Sequence, residues 1–151
     1  MIENRLKELN IKIDKIPAPA ANYLPYIKSG NQIFISGQLP VKNGEIAFKG
    51  KVGNEVTIEE AREAAKICAI NIIANLKEAC DGDLNKVKKC VKLGIFINAI
   101  DDFAQHPQIG NGASDLMVDI FAEKGKHSRF AVGVSSLPFN VPVEIDAIFE
   151  I

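Results

Sequence analysis

The stretch TIEEAREAAKICAINIIANLKEACDG, residues 57–82, limits what this chain can fold into more than any other part of it. Ile58, Ala61, Ala65, Cys68, Ile72, Leu76 and Ala79 recur at steps of three and four, which lines one side of a helix with apolar groups. Thr57 and Glu60 have the spacing of a capping box, in which each side chain satisfies a backbone N–H of the first turn. Gly82 is suited to end the helix. An apolar helix face has to be buried against another layer, and most of the other patterned stretches of the chain read as strands.

QIFISGQLPV (32–41) reads as a strand, and Asn43-Gly44 supplies a tight hairpin turn with EIAFKGKV (45–52) as its return leg. CVKLGIFIN (90–98) reads as a mostly buried strand, and two more strands are expected at about 129–136 and 142–150. NGASDLMVDIFAEKG (111–125) is expected to hold a second helix, capped by Ser114 and ended at Gly125. Ile2, Leu6 and Leu9 predict a short helix in an N-terminal extension, residues 1–15. The prolines of KIPAPAANYLP (15–25) predict an extended segment after it. The order β-β-α-β-α-β predicts a two-layer α+β fold, with two main helices on one face of a sheet. The 151 residues are expected to form a single domain, 1–151, with one core.

Charge narrows the partners. With 18 Lys and Arg against 19 Asp and Glu, the chain has no electrostatic reason to bind nucleic acid or an anionic membrane. No apolar run is long enough to span a bilayer, and MIENRLKELNIKID lacks the apolar core of a secretory signal. Cys68, Cys80 and Cys90 are odd in number and lack metal-ligand spacing, which fits a reducing, cytoplasmic setting. Two histidines, His106 and His127, are too few for a zinc or iron site built by the protein.

Candidate chemistry begins at HSRFAVGVSSLP (127–138). Read as a strand, it puts Phe130, Val132 and Val134 on one face, and Arg129, Ala131, Gly133 and Ser135 on the other. A face of small residues led by a guanidinium has the character of a pocket floor; composition alone favours an Arg reaching solvent. The last strand alternates too, with Val143, Ile145, Ala147 and Phe149 opposed to Glu144, Asp146, Ile148 and Glu150. Hairpin-like pairing of the two last strands would bring Glu144 towards Arg129, and an Arg beside a carboxylate can fix a substrate carboxylate and orient a water. The alternative is a pair of solvated acids. Ser36-Gly37 reads either as turn chemistry or as a place where a ligand approaches the backbone. No nucleophile elbow surrounds Ser36, the histidines lie far from it in sequence, and GNGAS (110–114) fits no phosphate cradle. Lys86, Lys88, Lys89 and Lys92 form a solvated rim without interleaved aromatics.

PAPAANY (17–23), ISGQLPV (35–41), SRFAVGVSSLP (128–138) and VEIDAIFEI (143–151) together resemble the RidA/YjgF family of imine deaminases, from about residue 16 to the C-terminus. The resemblance implies a chorismate-mutase-like fold with a mixed sheet, a homotrimer with a cleft at each subunit interface, and no metal or organic cofactor. It implies hydrolysis of 2-imino or enamino acids to 2-oxo acids and ammonia. Arg129 then matches the Arg that holds the substrate carboxylate, and Glu144 the Glu that positions the attacking water. Ser36, Gly37 and Tyr23 match the wall of the cleft, with Tyr26 as a competitor for the tyrosine. The chain departs from the pattern in three places. Ala131 stands where many members have Cys, GKHSR replaces a Pro shortly before the Arg, and the segment between Phe103 and Arg129 is longer, resembling a branch that carries NGASDL. The rival expectations are a non-catalytic protein binding a small carboxylate and, third, an endoribonuclease-like activity.

Overall fold

The computed structural model describes residues 1–17 and 21–151; positions 18–20 of the proline-rich segment lie outside the described residues. The long helix, α2, runs Ile58–Ala79, with both bonds of the Thr57–Glu60 capping box formed. Its stop lies just beyond, where the Gly82 N–H reaches back to the Lys77 carbonyl at 2.8 Å. Each expected apolar position except Ile58 is buried, and Ala64, Ile73 and Ala74 are buried as well. The helix therefore buries more than one stripe, against the sheet on one side and against helix α3 (His106–Phe121) on the other.

The sheet has five strands in the order β1-β2-β7-β5-β6. They are β1 (Tyr26–Ser29), β2 (Gln32–Gln38), β5 (Lys89–Asn98), β6 (Ser128–Val134) and β7 (Val143–Glu150). A separate small ribbon joins β3 (Val41–Lys42) to β4 (Glu45–Ile46) around Asn43 and Gly44, whose φ of 54° and 79° suit a tight two-residue hairpin turn. The return leg stops at Ile46, and β1 pairs β2 through a hairpin that the sequence reading did not include. Only β5 and β6 are parallel, as a helical crossover between them requires. Alternation settles the two faces. Ile33, Ile35, Leu93, Ile95, Ile97, Val143, Ile145, Ala147 and Phe149 point into one core with α2 and α3. Phe34, Phe96, Phe130, Val132 and Ile148 point the other way, where no helix among the described residues covers them; Val132 is 42% exposed. The short α1 (Ile2–Glu8) packs by Leu6 on the outer side of the helices.

Helix α3 departs from expectation. It runs His106–Phe121, so it begins before the segment 111–125, and Ser114 lies in its middle instead of capping it. Glycines at 110 and 112 disfavour a helix locally by about 1 kcal/mol each, and packing overrides them. A Cβ at Gly112 would sit 2.2 Å from the Arg62 carbonyl oxygen, and one at Gly110 would sit 3.0 Å from an Arg129 nitrogen. The glycines let α3 lie against α2 and the sheet. Pro107, in the first turn, suits a helix start.

Candidate functional site

Strand β2 carries a one-residue bulge. Ile35 pairs Ala147 and Gln38 pairs Ile145, so Ser36 and Gly37 together oppose Asp146. The bulge turns the Gly37 backbone towards the next residue of β7, and a Cβ there would lie 2.2 Å from Glu144 Oε2. The Glu144 carboxylate thus rests on a surface that only glycine leaves open. It makes no hydrogen bond among the described residues. Burial, and secondarily the neighbouring Asp146, pushes its pKa above the usual glutamate range. A carboxylate held there gains basicity, which suits a group that takes a proton from water near neutral pH.

Ser36 lies beside Gly37, but its hydroxyl donates to the Leu24 carbonyl at 2.7 Å and ties the segment before β1 onto β2. Tyr23 on that segment is half exposed. Tyr26 points to the helix side, where its hydroxyl meets Glu78 of α2 at 3.5 Å. An open groove of about 300 Å³ beside Ser36 is lined by Leu24, Tyr26, Ile27, Phe34 and Ile35.

Arg129 is on the other face of the sheet. Its register partner Leu93 also pairs Ala147, so Arg129 points with Leu93 and Ala147 towards the helices, whereas Glu144 points with Phe96 and Val132 away from them. The last two strands do not form a hairpin: β5 lies between β6 and β7. The expectation that their pairing would bring Glu144 to the Arg129 face is therefore corrected. Strands adjacent in sequence need not be adjacent in the sheet: β7 inserts between β2 and β5.

The guanidinium meets α3 instead. Nη1 donates to Ser114 Oγ at 2.9 Å and Nη2 to the Pro107 carbonyl at 3.2 Å. Ser114 Oγ is in turn 2.8 Å from His127 Nε2, and His127 Nδ1 is 2.6 Å from the Gly125 carbonyl. No carboxylate among the described residues pairs with Arg129. Its charge is met by neutral oxygens alone, at the unpaired edge of β6, and a guanidinium left this way attracts an anion. Beyond Arg129 on the same face, Ala131 and Gly133 keep the strand bare, and the His106 imidazole covers Gly133, its Nε2 2.7 Å from where a Cβ would be. Both histidines thus flank the Arg129 face. The signal that would have found Ser114 is its helical spacing with Pro107 and Gly110, visible only once α3 is known to start at His106.

Thiol chemistry has no place here. Cys68, Cys80 and Cys90 are buried, and burial pushes the Cys90 thiol up to about 12. Among the described residues no cluster of His, Cys, Asp and Glu could hold a metal ion, and no helix is long and apolar enough to cross a membrane.

Known proteins share this architecture. The family model described as "YjgF/chorismate mutase-like, putative endoribonuclease" matches residues 3–149. Protein TCP17 of Trypanosoma cruzi is 42% identical over 147 residues, 97% of this chain and 91% of that one. A 2-iminobutanoate/2-iminopropanoate deaminase of Dermatophagoides farinae is 29% identical over 132 residues, 87% of this chain and 88% of that one. The crystal structure of Atu1372 from Agrobacterium tumefaciens, a protein of unknown function, superposes with a TM-score of 0.90 at 47% identity, covering 99% of this chain and 92% of that one.

Proposed function

The chain belongs to the YjgF/chorismate mutase-like family, and from that premise we propose that it hydrolyses 2-imino or enamino acids to 2-oxo acids and ammonia. The observation that carries the reading is the Arg129 guanidinium, held at a strand edge by Ser114 and Pro107 with no acidic partner. Its fork suits the carboxylate that such substrates carry. The name of the Dermatophagoides farinae relative supplies the reaction class.

In this mechanism Arg129 fixes the substrate carboxylate. Glu144 accepts a proton from water as the water oxygen bonds to the imine carbon. That proton passes to the imine nitrogen as the C=N π pair moves onto it, giving a carbinolamine. Glu144 then relays the carbinolamine's hydroxyl proton to nitrogen as the C=O bond forms, the C–N bond breaks, and ammonia leaves a 2-oxo acid behind. Gly37 gives the Glu144 carboxylate its seat, and the family resemblance adds Ser36 and Tyr23 to the cleft wall.

Arg129 and Glu144 lie on opposite faces of one sheet, so both can act on one substrate only if they come from different chains. The exposed apolar face of the sheet supports self-association, and the assembly in this reading is the trimer, with clefts between subunits, that the family resemblance implies. Complementation tests the whole reading. Arg129→Ala and Glu144→Gln are each expected to remove most of kcat/KM for 2-iminobutanoate generated in place. Unfolded together in equal amounts and refolded, they are expected to regain about one quarter of wild-type activity, the share of clefts that draw both native residues from different chains. An Arg129→Ala protein as active as wild type would defeat the assignment, and no recovery on mixing would defeat the interface cleft. Tight binding of a small carboxylate without turnover would select the binding-protein reading.

A further inference from the structure

We propose that Ser114 and His127 are positioning residues that hold Arg129 as a carboxylate receptor, so that the NGASD segment of α3 is part of the substrate site. The inference rests on the function proposed above and assigns a role to the segment in which this chain departs from the better-known members of its family.

The partners along this chain of contacts order its donors and acceptors. A carbonyl oxygen can only accept, so His127 Nδ1 carries its hydrogen and donates to the Gly125 carbonyl. In the tautomer with its hydrogen on Nδ1, Nε2 is the acceptor and the Ser114 hydroxyl donates to it. With its hydrogen committed there, Ser114 Oγ presents lone pairs to Arg129 Nη1. His127 thus turns a rotatable hydroxyl into a fixed acceptor aimed at the guanidinium.

The seat has a second wall. Pro107, Gly110 and Ser114 stand at i, i+3 and i+7, one face of α3. Pro107 supplies a carbonyl for Nη2, and Gly110 leaves the space in which the guanidinium lies, since a Cβ there would come within 3.0 Å of Nη1 and 3.2 Å of Ile95. Two of the five guanidinium N–H groups are used in this way. Those remaining suffice for a bidentate grip on one carboxylate, and they belong to a side chain whose rotamers have already been restricted. Neutral acceptors orient the charge without cancelling it, which a carboxylate at position 114 would not do.

Calorimetric titration of the full-length chain with 2-oxobutanoate, the product-side carboxylate of the proposed reaction, reads this directly. Ser114→Ala is expected to weaken binding about 10-fold, the loss of one hydrogen bond to a charged group. Ser114→Thr, which keeps the hydroxyl, recovers most of it, and Arg129→Ala abolishes it. In turnover, Ser114→Ala raises KM by a similar factor with kcat little changed. A purely structural role would lower Tm and leave the dissociation constant of the folded protein unchanged. Wild-type affinity in Ser114→Ala with none in Arg129→Ala overturns this proposal alone. Wild-type affinity in Arg129→Ala, or no binding by the wild type, overturns it together with the function it rests on.

Discussion

Gly37→Ala separates the chemistry of the site from the stability of the fold. The added Cβ would stand 2.2 Å from Glu144 Oε2, 3.1 Å from its Cδ and 3.3 Å from its Cγ. Ordinary contact needs at least about 3.4 Å, so the carboxylate has to retreat by roughly 1.2 Å, and a displacement of that size costs on the order of 10²-fold in rate at a positioned catalytic group. The obstructed atoms are the far end of a flexible side chain on the uncovered face of the sheet, and the fold can yield there with little loss. Gly112→Ala is the control. Its Cβ would lie 2.2 Å from the Arg62 carbonyl oxygen and 3.0 Å from the carbonyl carbon, and two packed helices cannot give way as a carboxylate can. Overpacking of this kind costs about 1–3 kcal/mol or more, several degrees of Tm for a chain of this length. The assay is imine loss in competition with semicarbazide, read beside thermal melting of each variant. Gly37→Ala is expected to lose activity at nearly unchanged Tm, and Gly112→Ala to lose Tm. A fully active Gly37→Ala protein with native stability would refute the idea that Glu144 works from its observed position.

Glu144→Gln is also expected to change how stability depends on pH. Burial raises the folded-state pKa of Glu144, so its contribution is complete below the unfolded value and is lost as pH rises through the folded one. The Gln variant should therefore melt close to wild type at about pH 4 and above it near neutral pH; equal offsets at both pH values would contradict this. Thr57→Ala breaks the capping box of α2 and is expected to cost about 1 kcal/mol, roughly 2–4 °C in Tm, with KM unchanged.

Legibility followed the range of the forces involved. The capping box, the stop after Ala79, the Asn43-Gly44 turn and the alternation of β7 are set within a few residues of chain, and each stands where its pattern puts it. The start of α3 was misread because its evidence is not local: glycines that argue against a helix are demanded by Arg62 and Arg129, which arrive from other elements. The family motifs marked Arg129, Glu144, Ser36 and Gly37 as candidates, but no pattern along the chain could say which of them share a face.

By itself, then, the sequence determined α2, the Asn43-Gly44 turn, the alternation of β7 and the two-layer plan, because hydrophobic period and capping act over short spans, and its motifs carried the family resemblance. Only the tertiary structure decided the strand order, and with it the placement of β5 between Arg129 and Glu144 and the seating of Arg129 on Ser114. Strand pairing joins segments far apart in the chain, and its outcome depends on which apolar faces fit together around one core. That is a property of the whole chain, which no single stretch of it contains.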